Sequence, residues 1–183
     1  MELSYINNYL SETIKIIDII DQQQIYKMWE ILHNLKGRLF ILGVGGSAGN
    51  ASHAVNDFRK IMKIESYTPT DNVSEFSAII NDKNWDSSFY EYLKSSRLNK
   101  DDCIMVFSVG GGNKKTSHNI VIALMYAKEI GSKIVGIVGR DGGYTKKVSN
   151  VCLIIPMINK YTHTQHVESF QSIIWHLFCT MEK

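Results

Sequence analysis

The chain has 183 residues, and because domains average roughly 150 residues, this length predicts one domain with a small appendage. Hydrophobic residues make up 44% of the chain and charged residues 21%, which excludes the disordered and fibrous classes. The formal net charge of +2 is too small to indicate a nucleic-acid-binding surface, so we expect no nucleic-acid partner.

Two helices are predicted at the start of the chain. Apolar residues recur at steps of three and four over residues 3–21, which places them on one helical stripe. A second helical pattern covers residues 22–35 and is followed by Gly37, a residue that commonly ends helices. We expect residues 1–36 to form a helical extension that packs on the remainder of a single domain spanning 1–183.

Continuous apolar runs then alternate with helical patterns. The strong runs cover residues 38–43, 102–108, 133–139 and 150–156, with a weaker strand in 64–70. Helices are predicted over 47–62, 86–97, 114–130 and 164–181. Continuous hydrophobicity is typical of strands that are buried on both faces. The sequence therefore predicts an α/β fold, with helices covering both faces of a parallel sheet.

The cysteines and the apolar runs also predict a location. Cys103, Cys152 and Cys179 are far apart and lie in apolar surroundings, which favours buried free thiols and a reducing cytoplasm. No run approaches the roughly 18 apolar residues of a membrane span, and the first residues lack the pattern of a signal peptide. We expect a cytoplasmic protein with no membrane partner.

Three of the four strong strands end in clusters of glycine with serine, asparagine or aspartate, at 43–47, 108–113 and 139–143. Ligands of such sheets bind at the carboxyl ends of the strands, where glycines and helix N-termini suit a phosphate. Each cluster alone is equally well explained as a tight turn. Together with the hydroxyl groups of Ser47, Thr116 and Ser117, the clusters favour a phosphate or phosphosugar site.

The first cluster also fits the dinucleotide pattern Gly-x-Gly-x-x-Ala, with Glu65 twenty residues after Gly45 as a ribose ligand. This single match is weak because it gives the second glycine cluster no role. We therefore expect no nucleotide cofactor.

Two carboxylates and two imidazoles follow the clusters on predicted helices. His53 and Asp57 are four residues apart, about 40° around a helix, so both point to one place. Glu168 and His176 are eight apart, about 80° around the last helix, which still allows them to border one cleft. Each residue alone is more often structural than functional. As a set they can supply a general base and acid, or the ligands of a metal.

The order of these motifs resembles the sugar isomerase (SIS) family, and within it the phosphoheptose isomerase branch. The resemblance rests on Gly45-Gly46-Ser47 leading to His53, Asn81-Asp82 before an aromatic-rich segment at 85–92, the loop at 108–117, Gly139-x-Asp141-Gly142-Gly143, and a last helix ending in His176. It covers nearly the whole chain. It implies a three-layer, flavodoxin-like α/β sandwich with a five-stranded parallel sheet.

The resemblance also implies an activity and a set of site residues. Members convert sedoheptulose 7-phosphate to D-glycero-D-manno-heptose 7-phosphate for bacterial surface polysaccharide, as homotetramers with active sites at subunit contacts. The implied substrate-binding residues are Gly45, Gly46, Ser47, Asn81, Asp82, Ser108, Gly110, Gly111, Thr116 and Ser117. The implied ligands of a zinc ion are His53, Asp57, Glu168 and His176. In the reaction, Asp57 is the expected base, Glu168 the second choice, and His176 the acid.

The chain departs from the family pattern near these residues. Val44 replaces an Asn, Asp57 a Glu, Glu168 a Gln and Gln171 a His, and the 108–117 loop is longer and carries Lys114 and Lys115. Every substituted metal position keeps a side chain able to bind metal. The departures leave two alternatives to the heptose isomerase: a non-catalytic phosphosugar-binding protein, and an isomerase of another sugar phosphate.

Overall fold

The computed structural model describes residues 2–181. The elements within that range are α1 (Glu2–Ile19), α2 (Gln22–His33), β1 (Leu39–Gly43), α3 (Gly46–Lys60), β2 (Ser66–Tyr67), α4 (Val73–Asp82), α5 (Ser88–Ser95), β3 (Cys103–Ser108), α6 (His118–Ile130), β4 (Lys133–Val138), α7 (Gly143–Val148), β5 (Val151–Ile154) and α8 (His163–Met181). The predicted strands and long helices are confirmed. Two helices were not predicted: α4, which has no buried residue, and α7, which is only six residues long.

The five strands form one parallel sheet in the order β2-β1-β3-β4-β5. The centre of the sheet is the pairing of β1 with β3, in register from Leu39 opposite Cys103 to Gly43 opposite Phe107. From β1 the chain first adds β2 on one side, and then adds β3, β4 and β5 in turn on the other side. In a sheet of this order, a crevice opens between the carboxyl ends of the two central strands. The predicted three-layer α/β architecture is confirmed.

Both faces of the sheet are covered by helices. Ile41 and Met105 point to one face, into a core shared with α2, α3 and α8. Phe40 and Ile104 point to the other face, against α5 and α6. Side chains alternate between the faces of a strand, so a strand buried on both sides needs apolar residues at every position. This explains the continuous runs in the sequence.

The two N-terminal helices pack on the first of these faces, and a polar cluster anchors α1 to the start of α8. The carboxylate of Glu12 accepts hydrogen bonds from Asn159 Nδ2 at 2.7 Å, Thr162 Oγ1 at 2.5 Å and His166 Nε2 at 2.9 Å. The donors, Thr162 and Asn159 foremost, lower the pKa of Glu12 to about 2. The buried Ile16 adds an apolar contact to the same core.

One long surface of α1 stays exposed in the single chain. The large apolar side chains Leu3, Ile6, Leu10, Ile14 and Ile17 are between 50% and 75% exposed. They form most of the predicted helical stripe, which therefore faces away from the core. An apolar surface of this extent usually contacts another protein chain.

None of Cys103, Cys152 and Cys179 forms a disulfide within the described residues, as predicted, but the three side chains differ in burial. Cys103 and Cys179 are buried, whereas Cys152 is half-buried. Burial raises the pKa of the Cys103 thiol to about 12. Within residues 2–181, no helix has both the length and the apolar character needed to cross a membrane.

Candidate active site

A cleft of about 150 Å³ opens at the carboxyl ends of β1 and β3. It is lined by Val44, Ser47, Ser108, Val109, Gly110, Gly112, Asn113, Thr116, Ser117 and Arg140. A larger cavity of about 640 Å³ lies at the opposite ends of the strands, around Arg38 and Asp102. Those two charges already pair with each other at 2.8 Å, so they do not need a ligand. The smaller cleft is therefore the better candidate site.

The first glycine loop delivers the N-terminus of α3 to the cleft. Gly45 has φ +63° and ψ −128°, a backbone conformation that L side chains rarely adopt, and α3 begins at the next residue. Ser47 is 1% exposed, and within the described chain its Oγ has no hydrogen-bond partner. An unpaired buried hydroxyl costs about 1–3 kcal/mol. A ligand oxygen bound in the cleft satisfies this hydroxyl and benefits from the helix N-terminus.

The second loop is held open by its own hydrogen bonds. Asn113 Oδ1 accepts from the backbone N–H groups of Lys115 and Thr116 at 2.8 and 2.9 Å. Ser108 Oγ accepts from Gly111 N–H at 3.1 Å. The Asn113 turn delays the start of α6 to His118, so the predicted helix start at residue 114 is wrong. Thr116 and its neighbours line the cleft as a loop instead.

The third loop, after β4, packs tightly under the second. The carbonyl oxygen of Gly111 accepts from both the backbone N–H and the hydroxyl of Thr145, at 2.9 and 2.8 Å. A Cβ on Gly111 would overlap the backbone of Gly142, so only glycine allows this approach. Gly111 joins the two loops, and its expected role in binding substrate stays a prediction. Arg140 from the third loop reaches the cleft.

Further along α3, a cluster of titratable groups lies where this helix contacts α8. Candidate ligand atoms of His53, Asp57 and His176 all lie within 4.8 Å of one another. Asp57 Oδ2 is 3.9 Å from His53 Nε2 and 3.8 Å from His176 Nε2. The Asp57 side chain is 14% exposed, while the two imidazoles are 59% and 48% exposed. The cluster is thus open to solvent and to a substrate.

A hydrogen bond to the backbone determines the tautomer of His176, and with it the nitrogen that faces Asp57. His176 Nδ1 is 2.8 Å from the carbonyl oxygen of Ser172. A carbonyl can only accept, so Nδ1 carries the proton and Nε2 of the neutral ring presents a lone pair. This lone pair faces a carboxylate oxygen of Asp57. The space between these two acceptors suits a group that both can bind, such as a proton donor or a metal ion.

The structure does not bring Glu168 into this cluster. Eight residues of helix separate Glu168 from His176, a rise of about 12 Å along α8. The Glu168 carboxylate instead packs on the first glycine loop, where a Cβ on Gly46 would lie 2.6 Å from Oε2. The expected set of four ligands is therefore only partly assembled, with three residues together and Glu168 beside the phosphate loop.

Asn81 and Asp82 lie apart from both features. They are exposed at the end of α4, and Asn81 Nδ2 donates to Asp82 Oδ1 at 3.0 Å. Neither lines the cleft in the single chain. Their expected role in binding substrate stays a prediction.

A sequence model of the SIS domain matches residues 9–139, which is 131 of the 183 residues. The chain belongs to the SIS domain family. The phosphoheptose isomerase of Helicobacter pylori (strain P12) is 27% identical to this SIS chain over 175 residues, covering 93% of the chain and 86% of the relative.

Solved structures of other proteins share the fold. Phosphoheptose isomerase GmhA from Neisseria gonorrhoeae superposes with a TM-score of 0.86 at 19% identity, covering 100% of both chains. The Vibrio vulnificus NanR protein, complexed with ManNAc-6P, gives a TM-score of 0.65 at 12% identity, covering 98% of this chain and 64% of that one.

Sequence analysis of this SIS chain missed two residues beside the cleft. Arg140 lies within the glycine cluster at 139–143 and His163 directly precedes the predicted last helix, and neither was given a role from the sequence. The structure joins them, since Arg140 N–H donates to His163 Nε2 at 2.9 Å. The signal for Arg140 was its position directly after a strand that ends at the ligand-binding edge.

Proposed function

We propose that this SIS protein is an aldose-ketose isomerase that converts sedoheptulose 7-phosphate to D-glycero-D-manno-heptose 7-phosphate. The observation that carries the proposal is that α3 joins a phosphate cleft to an acid-base cluster. Ser47 at the cleft and His53 in the cluster are separated by six residues, a rise of about 9 Å. That separation suits a sugar phosphate whose reacting carbons lie far from its phosphate. The similarity to the Helicobacter pylori phosphoheptose isomerase supports the same substrate.

In this proposal the isomerisation proceeds through an enediol. Asp57 removes the proton from C1 of the ketose, and the electrons of that C–H bond form the C1–C2 double bond. His176, held through Nδ1 by Ser172, donates a proton from Nε2 to the carbonyl oxygen. Returning a proton to C2 and removing one from the C1 hydroxyl gives the aldose. The half-exposed imidazole of His176 then exchanges protons with water.

The cluster also fits a zinc ion. Two imidazole nitrogens and one carboxylate oxygen are the donors that catalytic zinc takes, with a further position left for substrate or water. The bond from His176 Nδ1 to a backbone carbonyl is typical of a metal-binding histidine. His53, Asp57 and His176 would hold the ion, and Glu168 would join them only if α8 shifted. When bound, zinc polarises the oxygens of the sugar.

We propose that the protein is a homo-oligomer, a tetramer as in the family resemblance, located in the cytoplasm. The exposed stripe of α1 supports association, and Ile173, Leu177 and Met181 add further exposed apolar side chains on α8. Cys103 and Cys179 form no disulfide among the described residues, which suits a reducing compartment. The single domain over 1–183 and a role in bacterial surface polysaccharide synthesis belong to the same proposal.

A non-catalytic phosphosugar-binding protein is the second candidate. It is favoured by the shorter side chain of Asp57 and by the fold shared with NanR, which was solved with ManNAc-6P. Such a protein needs the cleft around Ser47 but no base.

Purified protein is expected to convert sedoheptulose 7-phosphate to an aldoheptose phosphate and to leave free sedoheptulose unchanged. The cleft is built for the phosphate, so the free sugar lacks its main anchor. NMR identification of the product measures both reactions. Binding of the sugar phosphate without turnover would instead support the binding protein.

The variants Asp57→Asn and Glu168→Gln distinguish which of the two carboxylates is the base. If Asp57 is the base, Asp57→Asn lowers kcat by about 10²- to 10⁴-fold with little change in KM. Glu168→Gln restores the residue of the family pattern and costs less than tenfold if Glu168 only positions substrate. Steady-state kinetics of both variants give the order of the losses, and the reverse order would place the base on α8.

Metal analysis of the purified protein is expected to find a divalent ion, zinc foremost, at up to one per chain. Chelation then lowers kcat, and adding zinc restores it. His53→Ala should lower the metal content, whereas His33→Ala, outside the cluster, serves as the matched control. Full activity in a sample shown to be free of metal would remove the ion from the proposal.

Light scattering at micromolar concentration is expected to give a mass several times the 20.8 kDa of one chain. Ile14→Lys places a charge in the exposed stripe and should shift the population to smaller species. Lys15→Ala, also exposed on α1, is the control and should leave the mass unchanged. A monomeric wild type would contradict the proposed assembly.

A further inference from the structure

Arg140 supplies the only charged side chain among the described residues that line the cleft. The other polar groups there are neutral: Ser47, Ser108, Asn113, Thr116 and Ser117. A phosphate in water carries up to two negative charges. A positive charge at this position therefore attracts phosphate, the same ligand that the hydroxyls and the helix N-termini favour.

The guanidinium of Arg140 extends over the second glycine loop. Its Nη1 lies 3.8 Å from where a Cβ on Gly110 would stand, so Gly110 leaves the space beside it open. Between residues 2 and 181, no carboxylate forms an ion pair with Arg140. Its charge is thus free to pair with an anion in the cleft. Arginine suits phosphate because its planar fork donates two parallel hydrogen bonds.

The backbone of Arg140 is held in an unusual conformation by His163. Arg140 has φ +51°, in the left-handed region that non-glycine residues rarely occupy. Its N–H donates to His163 Nε2 at 2.9 Å, and His163 is only 3% exposed. Gly139 makes room for this ring, since a Cβ there would lie 2.6 Å from Nε2. The histidine therefore fixes the turn that aims the Arg140 side chain.

The acceptor role of His163 requires the neutral ring. Nε2 accepts a hydrogen bond, so the proton is on Nδ1, which is buried and has no partner within the described chain. Burial, followed by the nearby charge of Arg140, lowers the pKa of His163. Both effects keep the ring in the form that accepts the Arg140 N–H.

We propose that Arg140 is a ligand of the substrate's phosphate, and that His163 is the positioning residue that holds it over the cleft. This inference rests on the proposed function, because it assigns a group to the phosphate of the same sugar. It adds a charged contact that sequence analysis did not assign. The positive charge of Arg140 would also make the site bind phosphorylated sugars more tightly than neutral ones.

The first test compares Arg140→Met with Arg97→Met. Arg97 is a matched control because it is also exposed and left-handed, with φ +53°, but does not line the cleft. Calorimetry measures the binding of inorganic phosphate and of sedoheptulose 7-phosphate. Arg140→Met is expected to weaken both by about 10- to 100-fold, as a lost charged hydrogen bond does, while Arg97→Met binds like wild type. Arg140→Lys should fall between, because it keeps the charge without the fork.

The second test asks whether His163 acts through Arg140. His163→Leu removes the acceptor and should weaken phosphate binding, whereas His163→Gln can present its Oε1 to the same N–H and should largely restore binding. In the Arg140→Met background, His163→Leu should cause no further loss, because the group it positions is gone. A structural role alone would lower binding equally in both backgrounds. Circular dichroism of each variant confirms that it is folded.

The outcomes separate this inference from the proposed function. If wild type converts sedoheptulose 7-phosphate and Arg140→Met binds it as tightly as Arg97→Met does, the inference fails and the function stands. If Arg140→Met alone loses phosphate binding while wild type makes no aldose, the inference stands and the isomerase proposal fails. A loss in Lys114→Met/Lys115→Met instead of Arg140→Met would place the charge on the second loop and overturn the inference.

Discussion

Asn50 on α3 donates its side-chain N–H groups to the carbonyl oxygen of Glu168 and to Gln171 Oε1 on α8, at 2.8 and 3.0 Å. One turn further, His53 contacts the buried ring of Trp175 edge-on, with centroids 4.7 Å apart. These contacts fix how α3 and α8 pack against each other. The rest of the site depends on this packing, because it alone brings an imidazole of α8 to a carboxylate of α3.

The site has two electrostatically different ends. The cleft at the strand ends combines two helix N-termini, an unpaired buried hydroxyl on Ser47 and the charge of Arg140, all of which favour an anion. The other end centres on the carboxylate of Asp57 between two imidazoles. The proposed isomerase therefore binds a sugar phosphate in one direction. Glu168, beside the first loop, adds a negative charge near the cleft, which increases the need for a cation there.

The sequence predicted what depends on local pattern. Apolar runs fixed the strands of the sheet, and the four-residue spacing of His53 and Asp57 placed both on one helix face. The angle between Glu168 and His176 around the helix predicts one shared cluster, but the rise of about 12 Å between them keeps Glu168 out of it. Contacts between residues far apart in the chain could not be predicted from these local patterns. The bond between Arg140 and His163 joins residues 23 positions apart, and no periodic pattern encodes it.

The central claim is that proton transfer through an enediol occurs at the solvent-open cluster of Asp57 and His176. Isomerisation of sedoheptulose 7-phosphate in D₂O tests it most directly, with NMR of the aldose product. Asp57, the base that takes the C1 proton, belongs to a cluster open to solvent, so the account predicts exchange of that proton with D₂O and deuterium at C2 of the aldose. Product that retains only protium at C2 would show that the hydrogen moves from C1 to C2 without solvent exchange, and would contradict proton transfer at a solvent-open cluster.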